Sequence, residues 1–237
     1  MAFEGITLFL QMLPAAVART LVLTIGATAI GFICAASLLA LARRYWLWAA
    51  FAATYSLFFR GTPLLVQLFL IYFGAGQFRE ALEPLGLWVL FREPWFCALL
   101  GLGLNTGAYG YEVLRGGLKN IPRGQIEAAR AIGMTQRQVV WRIEAPIMTR
   151  LCLQGYLNEI VFLFQATSLV SLLTIPDITG IARAAAARTY QFYEVYLAAG
   201  CVYLVFVILL VQCGRILERR LSANIHAPEP GAMGGLR

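Results

Sequence analysis

Asn105, Tyr109 and Glu112 stand in an otherwise apolar stretch at spacings of four and three residues, which places them on one face of a helix. Asn158, Gln165 and Ser168, separated by seven and three, share a second face, with Glu159 and Thr167 beside it. Arg60, Thr62 and Gln67 form a third group around Pro63, and Thr106 adjoins Asn105. Polar and ionisable groups inside apolar sequence are costly in hydrocarbon and mark a path for a polar solute. Glu159 lies about eight residues beyond Arg150, or ~12 Å along a helix, and is the candidate to attract a cationic side chain. An ion pair within the protein is the alternative for it. Arg60 and Glu112 equally suit boundary anchors, and Thr and Ser hydroxyls in membrane helices most often bond their own backbone.

Catalytic chemistry finds little footing. The one histidine is His226, near the C-terminus, and the cysteines at 34, 97, 152, 201 and 213 form no C-x-x-C pair. They read as buried small hydrophobes, and no metal site is expected. Neither G-x-S-x-G nor H-E-x-x-H is present, and no G-x-x-x-x-G-K-[ST] loop offers to cradle ATP. Gly101-x-Gly103-x-x-x-Gly107 has the wrong spacing for a dinucleotide loop; Gly103 and Gly107 fit close helix packing.

The elements that must position these groups are membrane helices. Of 237 residues, 60% are hydrophobic and 13% charged, with a mean hydropathy of +0.72, which excludes disorder and an ordinary soluble enzyme. The charge is segregated: residues 20–42 are 23 uncharged positions, and runs at 94–111, 160–176 and 195–214 follow. Each suits a helix crossing ~30 Å of hydrocarbon. Arg60 splits a further apolar stretch, read as one helix from about Phe51 to Phe73 with Arg60 snorkelling to a surface. The expected fold is therefore all-α and polytopic, with five spans at about 20–42, 51–73, 94–113, 151–173 and 195–215. Residues 1–15 are expected as a segment along the outer face, and 222–237, rich in Gly and Pro, as a disordered tail.

The net charge of +7 comes from 18 Arg and 1 Lys. With the N-terminus outside, 14 of these bases fall in cytoplasmic segments and 5 in outer ones, so the positive-inside rule selects N-out, C-in. The bases flank spans and lack aromatic interleaving, which argues for membrane lipid and against nucleic acid. Seven of them, from Arg115 to Arg150, lie in the loop between the third and fourth spans.

The coupling part of that loop, taken as 116–150, is strongly punctuated. Pro122 and Gly124 open a short helix carrying Glu127, Ala128 and Ala129, with the Glu near the positive end of the helix dipole. Gly133 suits a left-handed stop. Thr135 and Gln138 make a capping box for a second helix, which Pro146 ends or kinks. Two short helices joined at a glycine elbow result. A basic amphipathic surface element is the plainer alternative.

Glu127-Ala128-Ala129, Gly133, Ile143 and Pro146 resemble the EAA motif of ABC importer permeases. Tyr109-x-x-Glu112-x-x-Arg115-Gly116-Gly117, Ile121-Pro122-x-Gly124-Gln125 and Arg60-Gly61-Thr62-Pro63-Leu64 are similar to the polar amino-acid branch, as are Asn158-Glu159, Ala166-Thr167-Ser168-Leu169 and Ile175-Pro176-Asp177. The resemblance spans roughly residues 16–221. It departs at Ala145, where the family carries Leu, and at Gln165-Ala166-Thr167-Ser168, a form closer to the subgroup importing histidine, lysine, arginine, ornithine and opines.

The resemblance implies a type I transmembrane domain in a bacterial inner membrane, and a transport subunit with no enzymatic activity of its own. ATP and Mg would be bound by a dimer of separate ATP-binding subunits. Glu127, Ala128, Ala129, Gly133, Ile143 and Pro146 would form the seat for that subunit. Thr62, Gln67, Asn105, Tyr109, Glu112, Glu159, Thr167 and Ser168 are the expected substrate path. A second permease subunit, in a heterodimer, and a periplasmic binding protein would complete the system, with Asp177, Arg183, Arg188 and Tyr190 facing the binding protein. A passive channel and a membrane-embedded enzyme remain as other classes.

Overall fold

A computed structural model describes residues 4–222, and the expected tail from 223 onward, with His226, lies outside them. The described residues are mostly helical, without a strand among them. α1 (Glu4–Arg44) is followed by α2 (Trp46–Gly61), α3 (Leu64–Gln77) and two single-turn helices, α4 (Arg79–Leu82) and α5 (Trp88–Phe91). Next come α6 (Pro94–Lys119), α7 (Arg123–Ala131), α8 (Gln136–Val139), a π turn (Val140–Glu144) and α9 (Ala145–Ala166). A 3₁₀ stretch (Thr167–Leu173), α10 (Ile178–Thr189) and α11 (Phe192–Ser222) complete the chain.

Three helical stretches, Glu4–Arg44, Gln136–Leu173 and Phe192–Arg220, are long and apolar enough to cross a membrane. The pair α2 and α3 makes a fourth when taken as one broken span. α6, with 26 residues, is about 39 Å long. Its six glycines, Asn105, Glu112 and Arg115 dilute its apolar character.

Residues 4–15 form no separate element. Pro14 lies inside α1, which runs 41 residues without a break, about 60 Å. Phe9 and Ala16 are fully buried against α10 and α11, in a cluster with Ile178, Ile181, Ala185 and Val195. Leu23 and Ala27 join a second cluster with Leu68, Leu102 and Leu163, and Ala35, Leu38 and Leu39 a third with Ala52 and Tyr111. One helix thus threads all three cores.

α1 packs most closely on α6. A Cβ on Gly103 would stand 2.6 Å from Ile30 Cγ2, and one on Gly107 3.0 Å from Cys34 Cβ. The two glycines let the backbones approach, as expected for small residues between membrane helices. Cys97 and Cys152 are buried, as their apolar settings require, but Cys201 and Cys213 on α11 are exposed. Leu204, Val205, Ile208 and Leu209 are exposed on the same helix.

Candidate functional site

The predicted single helix over 51–73 is instead two helices bent by 100° at Thr62 and Pro63. Proline has no N–H and pushes the residue before it out of the helical region. Thr62 accordingly sits at φ −113°, ψ 146°. The break leaves the carbonyl of Phe59 without the amide that residue 63 would have supplied. Two side chains replace it: Gln67 Nε2 donates to Phe59 O at 2.8 Å, and Asn105 Nδ2 donates to the same oxygen at 3.0 Å. Gln67 Nε2 also meets Thr62 O and Thr62 Oγ1 at 3.0 and 2.7 Å, while its Oε1 accepts from Asn105 Nδ2 at 3.0 Å. Gln67 is buried and its hydrogen-bonding groups are engaged in the bend.

Beside the bend lies a cavity of about 660 Å³ between α2, α3, α6 and α9. Arg60, Thr62, Asn105, Thr106, Tyr109 and Glu159 line it, with Phe162, Leu163 and Leu169 as apolar walls. The Arg60 guanidinium lies 5.3 Å from the Tyr109 ring centroid, a cation–π arrangement. Its Nη1 is 3.9 Å from Glu112 Oε1. Glu112 also accepts from Ser56 Oγ and Arg115 Nε, each at 2.9 Å. The cavity therefore holds a base restrained from behind and an acid, Glu159, on another wall. Its walls carry both signs of charge.

The structure thus brings Thr62, Asn105, Tyr109 and Glu159 together with Arg60. Gln67 and Glu112 stand behind the wall, as braces. Thr167 is fully buried and donates to its own helix at Phe164 O, 2.6 Å away. Ser168 does not line the cavity, because the switch to 3₁₀ geometry at Thr167 ends the helical spacing that aligned it. Asn158 lines a separate groove with α11, and Gln165 is exposed. The apolar walls carry no signature in sequence and emerge only from the packing.

At the loop after α6, the glycine elbow takes a definite form. Gly133 has φ +82°, its amide bonds Arg130 O, and the Met134 amide bonds Ala129 O. This is a Schellman motif, which satisfies the last carbonyls of α7. Thr135 and Gln138 close the expected capping box. Two expectations are corrected here. Pro146 does not end the helix that Thr135 begins: it follows directly on the π turn Val140–Glu144, and the backbone at Glu144 and Ala145 stays in the right-handed helical region. The helix that Thr135 begins runs through the π turn into α9. Ala129 is buried within this chain, whereas Glu127 and Ala128 are exposed. Ile132 and Trp141 are 80% and 69% exposed, so the elbow presents two large apolar side chains outward. Ile143 is half-buried and Pro146 exposed.

Sequence reading missed one pair altogether. Arg43, at the end of α1, meets Glu144 in the π turn through Nη1–Oε2 at 2.6 Å and Nη2–Oε1 at 3.0 Å. The two residues are 101 positions apart, and nothing local announces the contact.

After α9, Asp177 proves unavailable to an outside partner. It is fully buried and caps α10 by accepting from the Gly180 amide at 2.8 Å. Tyr203 donates to its other oxygen at 3.2 Å. Burial pushes its carboxyl up to about 6, against the lowering effect of these hydrogen bonds. Arg183, Arg188 and Tyr190 are exposed on or beside α10, and Arg183 also donates to Ser171 O at 3.3 Å.

An all-helical membrane chain with a broken helix beside a polar cavity and a capped glycine elbow is the architecture of a solute-translocating subunit. The chain belongs to the family of binding-protein-dependent transport system inner membrane components, which matches residues 27–223. It is 41% identical over 227 residues to the nopaline transport system permease protein NocM of Agrobacterium fabrum, covering 94% of each chain. It is 43% identical over 209 residues to the octopine transport system permease protein OccM of Rhizobium meliloti, covering 87% of this chain and 84% of that one. Identity to the arginine ABC transporter permease protein ArtM of Escherichia coli K12 is 41% over 169 residues, 71% and 75% of the two chains.

Among solved structures, a chain of an amino acid ABC transporter with histidines superposes with a TM-score of 0.78 at 28% identity, over 90% of this chain and 94% of that one. The MetNI methionine ABC transporter in an inward-facing conformation shares the fold, with a TM-score of 0.70 at 18% identity, over 88% and 95%. The protein is accordingly an inner-membrane permease subunit of an ABC import system.

Proposed function

We propose that this permease carries basic amino acids or opines, and that the cavity beside the bend is where they pass. Glu159 attracts the guanidinium or ammonium of the side chain. Arg60 and the first amides of α3, which have no acceptor within their helix, face the carboxylate. The observation that carries this reading is the placement of Glu159 and Arg60 on the walls of one cavity, together with Tyr109 and Asn105. The names of its relatives, which carry nopaline, octopine and arginine, point to the same chemistry.

In this reading α1, the bent pair, α6, α9 and α11 are five spans, with the N-terminus outside and the C-terminus in the cytoplasm. The elbow around Gly133 then seats in an ATP-binding subunit, with Glu127 pairing a base there and Ile132 and Trp141 adding apolar grip. ATP and Mg belong to that subunit. Five spans leave the cavity open on one side, so a second, non-identical permease closes it. A periplasmic binding protein delivers the solute against Arg183, Arg188 and Tyr190.

Reconstitution into proteoliposomes with these partners tests the proposal. Arginine should accumulate above its outside concentration only with ATP inside and binding protein outside. Equilibration without ATP would instead identify a passive channel.

A further inference from the structure

Glu144 is only 2% exposed, and its carboxylate faces the Arg43 guanidinium through two parallel hydrogen bonds. A buried carboxylate is expensive, and its retention calls for a use. The pair sits at a mechanically special place. On one side is the π turn Val140–Glu144, an irregularity of the kind found at functional joints, directly beyond the docking elbow. On the other is the cytoplasmic end of α1, which runs unbroken for 41 residues.

The far end of α1 is tied as well. The Gly5 amide donates to Gln191 Oε1 at 2.8 Å, and Arg19 Nη1 donates to Pro176 O at 3.0 Å. These bonds reach both sides of α10, the helix that caps the outer end. Between α1 and the start of α9 lies an open groove of about 520 Å³, lined in part by Arg43, Trp141, Met148 and Tyr156. A loose apolar contact across such a groove would slip under load. A two-pronged charge pair fixes both distance and orientation.

We infer that the Arg43–Glu144 pair is the joint through which movement of the docking elbow is passed to α1, and that α1 carries it to the α10 cap. The two are positioning residues, touching neither substrate nor the ATP-binding subunit. The inference rests on the proposed docking role of the elbow.

The test uses the complete complex in proteoliposomes and reads solute molecules imported per ATP hydrolysed, with assembly followed by size-exclusion chromatography. Glu144→Gln keeps the shape and removes the charge. It should hydrolyse ATP within about twofold of the wild type while import per ATP falls at least tenfold. Arg43→Lys, with one prong, should fall between. The swap Arg43→Glu with Glu144→Arg should recover import per ATP above either single change, the coupling that a double-mutant cycle reads.

A purely structural pair would lower assembly and leave the ratio unchanged. An unchanged ratio in Glu144→Gln, or in Arg43→Lys if the former does not assemble, overturns the inference. Gly133→Trp separates the two readings. If it uncouples while the Arg43 and Glu144 variants do not, the elbow stands and the joint fails. If it leaves import intact, the docking role itself has failed.

Discussion

Asn105 donates to Gln67 across 3.0 Å, and the two residues, 38 positions apart, together hold the carbonyl that Pro63 orphans at Phe59. The bend that shapes the cavity is therefore braced by α3 and α6 jointly. Thr62 and Pro63 supply the break, and the amides supply its stability.

Replacing Gln67 with Leu tests that brace. The change leaves the half-buried polar groups of Phe59, Thr62 and Asn105 short of partners, a loss of at most about 1–3 kcal/mol for a group that water cannot reach. The melting temperature of the detergent-solubilised protein should fall by several degrees. Gln67→Glu, which keeps an acceptor for Asn105 but loses the donors, should fall as well. An unchanged melt in both would remove the brace from the account.

Gly133 makes a cleaner probe of the elbow. Nothing in this chain lies within 4 Å of the Cβ that a side chain would add there. A bulky residue therefore strains the left-handed backbone, by about 1–2 kcal/mol, and otherwise meets only a partner. Gly133→Trp should leave the permease in the membrane, while ATP-driven uptake falls at least tenfold. Normal uptake would contradict the docking assignment.

Gly103 reports on the packing of α1 against α6. A Cβ 2.6 Å from Ile30 Cγ2 forces one helix to shift. Gly103→Val should reduce the yield of monodisperse protein, and Ile30→Ala in the same chain should restore part of it. Full yield from Gly103→Val alone would show that the helices part more easily than their contact implies.

Asp177 gives a pH signature. Because burial raises its pKa to about 6, the folded state takes up a proton more readily than the unfolded one. The stabilisation from its neutral form is complete below the ordinary aspartate range near pH 4 and is lost as pH rises through about 6. Asp177→Asn keeps an oxygen for the Gly180 amide and removes the titration. The melting temperature of the wild type relative to this variant should therefore rise as pH falls from 7.5 to 5. A difference flat across that range would contradict the assignment.

The parts of this structure visible in sequence are those decided locally. Gly133, Thr135 and Gln138 announce a Schellman stop and a capping box within six residues, because each satisfies backbone groups of its own turn. Gly103 and Gly107 show close packing through their spacing alone. Pro63 was equally visible, yet the broken span read as one helix, since the groups that make the break tolerable, Gln67 and Asn105, come from two different helices. Pro146 misled for a related reason: the helix continues past it directly after a π turn, and that turn is not written in residue type. Arg43 and Glu144 were indistinguishable from ordinary boundary charges until the fold joined them. Of the residues proposed as a path, Thr62, Asn105, Tyr109 and Glu159 line one cavity, whereas Gln67, Glu112, Thr167 and Ser168 do not. Thr167 bonds its own backbone, and Gln67 bonds the Phe59 carbonyl, Thr62 and Asn105.

The central claim is that Glu159 selects a cationic solute in the cavity it shares with Arg60. ATP-driven uptake of labelled arginine by the reconstituted complex, compared between the wild type and Glu159→Gln, tests it most directly. The account predicts at least a tenfold loss at subsaturating arginine, equivalent to about 1.4 kcal/mol, with assembly intact and partial activity retained by Glu159→Asp. Full uptake by an assembled Glu159→Gln complex would contradict it.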